Sequence, residues 1–177
     1  MPENVNLSWT VFVLHVKLHL ILMASASARK PQGIIQKLKK SPAVAWDIAQ
    51  TFPKVLRVIW LLKKYPDLPS LLQVVTPQQI NASKTTPSTE RLVRGVGWST
   101  RLLRFRPEGT CLLRSLTLFS ELRSRGQKAF FVSGVRKDPG GIKGHAWVEL
   151  DGKALKGFGD ENARELYKIS IIHPQST

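Results

Sequence analysis

Cys111 is the only cysteine in a chain of 177 residues, and it stands in the run Thr110-Cys111-Leu112-Leu113-Arg114-Ser115-Leu116. A thiol becomes a strong nucleophile when a neighbouring base takes its proton. A candidate base follows in Gly144-His145-Ala146-Trp147-Val148-Glu149-Leu150. An imidazole base in turn works best when a carboxylate holds its tautomer and orientation. Asp160 is the leading candidate for that carboxylate, with Glu149 and Glu161 behind it. Such a series can attack a carbonyl, form a thioester and pass the acyl group to water or to an amine.

The elements that must position these groups are readable around them. Thr110 is expected to cap a helix that runs to about Arg125 and stops at Gly126, because Gly tolerates the left-handed conformation that ends helices. Leu112, Leu116 and Phe119, with Leu118 and Leu122, recur at helical spacing and bury one side of it. Cys111 then falls in the first turn, where free amides and the positive end of the helix dipole favour a thiolate and can hold an oxyanion. Lys128 to Arg136 is rich in aromatic and β-branched residues and reads as a strand, with 137–141 as a loop.

In the second strand His145, Trp147 and Glu149 share one face, and Ala146, Val148 and Leu150 the other. Asp151-Gly152 predicts a two-residue hairpin turn, which pairs Leu150 with Lys153. That register sets Phe158 opposite His145 and puts Asp160 on the His face, within reach if the chain bends at Gly157 or Gly159. On pattern alone, a lone Cys in an apolar helix is more often a small buried hydrophobe, and a His beside Trp a packed strand residue.

The rest of the chain constrains the setting. A single thiol cannot form an internal disulfide, and its pairing with a separate His suits a reducing, cytoplasmic compartment. The net charge of +15 and pI near 10.5 would suit nucleic acid, an anionic membrane or an acidic peptide. The charge is spread, +7 over residues 1–76 and +8 over 77–177, so no basic tail exists. Arg101, Arg104 and Arg106 have only Phe105 interleaved, too little aromatic surface for a nucleic-acid stripe.

Residues 7–24 are the most apolar stretch, and Ser25-Ala26-Ser27-Ala28 imitates a signal cleavage site. The preceding MPENVN has no Lys or Arg, and His15, Lys17 and His19 interrupt the run. It reads first as a buried or membrane-surface helix, then as sequence upstream of the true start, and last as an export signal. His15 and His19 share a helix face but have no further ligand nearby, so no metal site is expected. Residues 33–40 and 43–64 read as two helices, Pro42 marking a start and Pro53 a kink or break. Residues 1–76 thus form a helical N-terminal region, 77–89 a linker rich in Pro, Asn and Ser, and 90–177 the domain carrying the thiol. The fold class is α+β.

The run CLLRSLTLFSELRSRGQKAFFVSGVRKDPGGIKGHAWVELDGK over residues 111–153 resembles the transglutaminase-like cysteine peptidases that process lasso peptide precursors. The matching features are Cys-Leu-x-Arg-Ser-Leu, Arg-x-Arg-Gly, Gly-Val-Arg-Lys and Gly-His-Ala-Trp-Val-Glu. The resemblance implies a papain-like helix-and-sheet core with Cys111 as nucleophile and His145 as base. The family's acid follows soon after the next strand begins; Lys156-Gly157 stands there and Asp160 three residues later.

The resemblance also implies a precursor peptide as substrate, a separate leader-recognition protein and a downstream ATP-dependent macrolactam synthetase as partners, and no cofactor. Peripheral membrane contact through the basic helices is a further expectation. Two other readings stay open: a transglutaminase-like acyltransferase on the same core, and a non-catalytic basic protein that binds RNA or a membrane with an inert Cys.

Overall fold

The computed structural model describes residues 41–80, 88–103, 107–158 and 160–174. The expectations for residues 7–24, for His15 and His19, and for a helix over 33–40 lie outside these residues. Four longer helices come first: α1 (Pro42–Lys64), α2 (Leu68–Val75), α3 (Thr89–Leu102) and α4 (Pro107–Ser124). They are followed by β1 (Ala129–Asp138), β2 (Gly141–Leu150), β3 (Lys153–Ala154), a short α5 (Ala163–Leu166) and β4 (Lys168–His173). The strands form one antiparallel sheet in the order β3-β2-β1-β4, so the architecture is α+β. No helix among the described residues is long and apolar enough to cross a membrane.

Helix α4 lies at the centre. Leu112, Leu113, Leu116, Leu118, Phe119 and Leu122 are all 2% exposed or less, so the helix is buried nearly all round, where the apolar stripe predicted one buried side. It packs against β1 and β2 and against α1 and α3. Each such side chain contributes about 1.5–3 kcal/mol on burial, more than any propensity difference along the helix. Its end is a Schellman motif: Gln127 N–H bonds Leu122 O and Gly126 N–H bonds Arg123 O, with Gly126 at φ +78°.

Its start differs from expectation. The helix begins at Pro107, not after Thr110, because a proline lacks the N–H that a first-turn residue leaves unpaired anyway. Thr110 is inside the helix, and its Oγ1 accepts from Arg114 at 3.3 Å.

Two further differences concern proline and turn chemistry. Pro53 does not break α1; it and Ala49, whose carbonyl loses its helical donor, are both on the exposed side, where water can serve that carbonyl. The loop predicted over 137–141 contracts to Pro139-Gly140, since Asp138 pairs with Gly141. Cross-strand attraction between Asp138 and Lys143, 2.7 Å apart, and the φ of +121° at Gly141 support that tight closure.

The Asp151-Gly152 hairpin has both residues at positive φ, 50° and 75°, and pairs Leu150 with Lys153. Neither α2 nor β4 was read from the sequence. Asp67 caps α2 by accepting from Ser70 N–H at 2.8 Å.

One hydrophobic cluster joins Val55, Leu62 and Leu72 of the first two helices to Leu116, Phe131 and Val148. Segments on both sides of residues 77–89 therefore contribute to the same core. Between α1 and α3 the contact is polar: buried Asp47 receives Arg91 and Arg94, with closest approaches of 2.8 and 2.7 Å, and the Thr51 and Ser99 hydroxyls meet at 2.8 Å. Gly95 allows this approach, since a Cβ there would lie 2.6 Å from the Asp47 carbonyl oxygen.

Gly95→Ala should therefore lower stability by about 1–3 kcal/mol. Gly140→Ala, where a Cβ meets nothing within 4 Å, should change it by no more than about 0.5 kcal/mol. Urea denaturation of both variants tests this, and equal stabilities would refute the close-approach argument.

Candidate active site

Strand β3 pairs with β2 only at Leu150 and Glu149, and Leu155 N–H adds a bond to Val148 O at 2.9 Å. Beyond that point the outward edge of β2 is free to meet something else. Helix α4 takes the place: Ser115 Oγ donates to Ala146 O at 2.8 Å, and the Ala146 N–H points to the Cys111 thiol. Cys111 and Ser115 are one helical turn apart, so a single face of α4 serves both backbone groups of Ala146. His145, the preceding residue, is thereby brought to the thiol, with which it shares a hydrogen bond.

Asp160 completes the series from the other side. After Leu155 the chain leaves β2, turns at Gly157 with φ +115°, and returns so that Asp160 Oδ1 lies 2.7 Å from His145 Nε2. Of the two bends considered, Gly159 lies outside the described residues. Phe158 does not sit opposite His145, because the ladder ends first; its ring lies 4.4 Å beneath the Arg114 guanidinium. With Nε2 engaged by the carboxylate, Nδ1 is the nitrogen left to face the thiol.

The two other carboxylates considered lie elsewhere. Glu149 is 1% exposed, accepts from Trp147 Nε1 at 2.8 Å and binds Arg164 through two 2.6 Å bonds. Glu161 is exposed.

Electrostatics follow from this geometry. Burial pushes the Cys111 thiol up, but the hydrogen bond and charge of His145, then the amides of Ala146 and Leu112, bring it below the ordinary value of 9.0. Burial also disfavours the His145 cation. The hydrogen bond to Asp160 opposes this most, followed by the hydrogen bond and charge of Cys111 and the charge of Asp160. They raise the imidazole from 6.5 to about 9. Both shifts favour the charged form of the pair, thiolate beside imidazolium.

Because the helix starts at Pro107, Cys111 lies past the first turn, where the dipole has faded. The expected helix-end activation is thus replaced by the imidazolium and by an amide of the sheet. The Asp160 side chain is 9% exposed and that of His145 22%, and Cys111 is partly exposed. The carboxylate is buried, and the thiol keeps part of its surface exposed.

Three contributors were not singled out as site residues from the sequence. Tyr167 stacks on His145 at 5.1 Å and also meets Trp147 at 6.4 Å, so the three rings form one cluster that restrains the imidazole plane. Ser115 anchors the helix to the sheet edge, and Arg114 lies one turn beyond the thiol. Only Ser115 could have been suspected, from its i,i+4 spacing to Cys111. No group of three or more His, Cys, Asp or Glu residues suited to a metal occurs among the described residues.

With this geometry in view, the comparisons with known proteins acquire meaning. The model of the transglutaminase-like superfamily matches residues 54–170, about two thirds of the chain. The protein belongs to the transglutaminase-like superfamily. The matched span begins inside α1 and ends in β4, and contains Cys111, His145 and Asp160. No curated protein and no solved structure matches the chain significantly.

In Asp160→Asn the main influence raising the His145 pKa is lost, so the imidazolium should titrate nearer 6.5 and cease to support the thiolate between pH 7 and 9. The alkylation rate of Cys111 by iodoacetamide at pH 7 should fall roughly tenfold and its pH midpoint move upward; an unchanged profile would remove Asp160 from the series. Ser115→Ala, which leaves the buried Ala146 carbonyl unpaired, should cost about 1–3 kcal/mol in urea denaturation.

Proposed function

We propose that the protein is a cysteine peptidase that removes the leader from a ribosomally made lasso peptide precursor. The observation that carries this reading is the chain of contacts from the Cys111 thiol through His145 to Asp160, with the thiol partly exposed. Membership of the superfamily supports thiol-based acyl chemistry, and the motif resemblance over residues 111–153 supports the peptide substrate.

In this mechanism the Cys111 thiolate attacks the carbonyl at the junction of leader and core. The negative oxygen that develops is met by backbone amide hydrogen bonding, for which the Ala146 N–H beside the thiol is the available donor. The His145 imidazolium gives its proton to the departing amine, and the core peptide leaves with a free α-amine. The leader remains as a thioester on Cys111. Neutral His145 then takes a proton from water, the resulting hydroxide equivalent attacks the thioester, and the leader leaves as a carboxylic acid with the thiolate restored.

Asp160 orients the ring and stabilises its cation throughout. A separate leader-binding protein would deliver the precursor, and a macrolactam synthetase would use the new amine.

Intact-mass spectrometry of a precursor peptide mixed with its leader-binding protein and the purified enzyme tests the reading. Wild type should produce one cut, Cys111→Ala should reduce the rate by about a thousandfold or more, and His145→Ala nearly as much. Cleavage retained in Cys111→Ala would overturn the mechanism. Added primary amine separates the neighbouring activity: an amide adduct in place of the leader acid would identify an acyltransferase.

A further inference from the structure

A cleft of about 490 Å³ opens between α3, α4 and the turn at Gly157, adjoining the stretch of α4 that carries Cys111. Thr110 and Arg114, which flank Cys111 on α4, form one wall, and Trp98 and Arg101 of α3 the other, with Phe158 between them and Arg94 at the margin. Among the described residues, the lining contains three guanidinium groups and no carboxylate. Arg94 is committed to Asp47, at 2.7 Å. Arg101 and Arg114 are in a different position: among the described residues neither forms an ion pair with a carboxylate.

Both guanidiniums are nonetheless held in place. Arg114 donates to Thr110 O at 3.2 Å and lies over the Phe158 ring, while Arg101 packs 5.2 Å from the centre of Trp98. A planar fork fixed this way loses less freedom when it binds an anion.

The close seat of Phe158 against α3 depends on Gly97, where a Cβ would approach that ring to 3.2 Å. Burial lowers the pKa of Arg114, the charges of Cys111 and Asp160 raise it, and Arg101 lowers it. This one residue therefore senses the thiol, the orienting carboxylate and the second arginine. Arg114 is partly buried and, among the described residues, has no carboxylate at ion-pair distance, so an anion in the cleft would offset part of the cost of that burial.

We infer that this cleft is a carboxylate-binding subsite, in which Arg101 and Arg114 receive a carboxylate of the peptide substrate next to the scissile bond. The inference rests on the peptidase reading above and adds to it the class of residue that the enzyme selects. The aromatic and aliphatic walls take the methylene portion of the acid, and the two forks take its oxygens. Arg101 is a specificity residue outside the Cys-His-Asp series, so its loss should alter selection and leave the nucleophile intact.

The test is alkylation of Cys111 in the intact protein by iodoacetate and by iodoacetamide, read by intact mass. Both reagents form a thioether with loss of iodide, and only the first carries a carboxylate. Arg101→Gln should slow the iodoacetate reaction roughly two- to fivefold and leave the iodoacetamide reaction unchanged.

A second arm measures protection of the thiol from iodoacetamide by three acetylated peptides: Ala-Ala-Glu-Ala amide, Ala-Ala-Gln-Ala amide and Ala-Ala-Gln-Ala free acid. Better protection by the Glu peptide identifies a substrate side chain in the cleft, and better protection by the free acid identifies a chain terminus; either supports the subsite. Equal protection by all three, with an iodoacetate rate indifferent to Arg101→Gln, overturns the subsite while rapid iodoacetamide labelling preserves the nucleophile. Failure of both reagents to label native Cys111, when each labels it in urea, overturns the nucleophile reading and the subsite with it.

Discussion

Where β3 ends, β2 still presents an amide and a carbonyl at Ala146, and backbone groups buried in this way must find partners. Another strand could supply them, but helix α4 does so with the Ser115 hydroxyl and the Cys111 sulfur. This one accommodation has wide consequences. It locks the central helix to the sheet, stops the sheet from extending further at that edge, and sets the thiol beside the ring of His145. The site is therefore built by the same contact that resolves a structural need of the fold.

The electrostatic arrangement grows from that contact. A thiol partly removed from water resists ionisation, and an imidazole in the same place resists protonation, yet together they favour the charged pair. Asp160 adds the decisive bias from the buried side, and Trp147 and Tyr167 cluster with the ring. Trp147 is itself anchored by Glu149, whose charge is taken up by Arg164. Two carboxylates share one face of the sheet region and do different work: Asp160 supports a titrating group, while Glu149 braces the stack behind it.

The helical half contributes more than bulk. Helices α1 and α2 close the core beneath α4, and the family span starts within α1, so these helices belong to the unit that holds the site. The Asp47 cluster draws α3 against α1. That placement sets Trp98 and Arg101 across from Arg114 and creates the cleft adjoining the stretch of α4 that carries Cys111.

Local rules in the sequence determined a good deal: the stop at Gly126, the alternation that separates His145 and Trp147 from Ala146 and Val148, and the Asp151-Gly152 turn with its register. These depend on backbone φ preference and on side-chain period, which neighbouring residues dictate. Asp160 was named as the acid, but it meets the ring through the turn at Gly157 after the ladder has ended, not through strand parity.

Other features depended on partners far along the chain. Pro107 starts α4 a turn early, which moves Cys111 away from the helix end and leaves its activation to His145. The stacking of Tyr167 joins α5 and β4 to a strand read separately. The Ser115 bond to Ala146 and the facing of Arg101 and Arg114 arise only when α3, α4 and β2 pack together. Residue types and spacing thus named the reacting groups, while tertiary packing decided their proximity, their charge and what can lie beside them, because those depend on through-space distance and on exclusion of water.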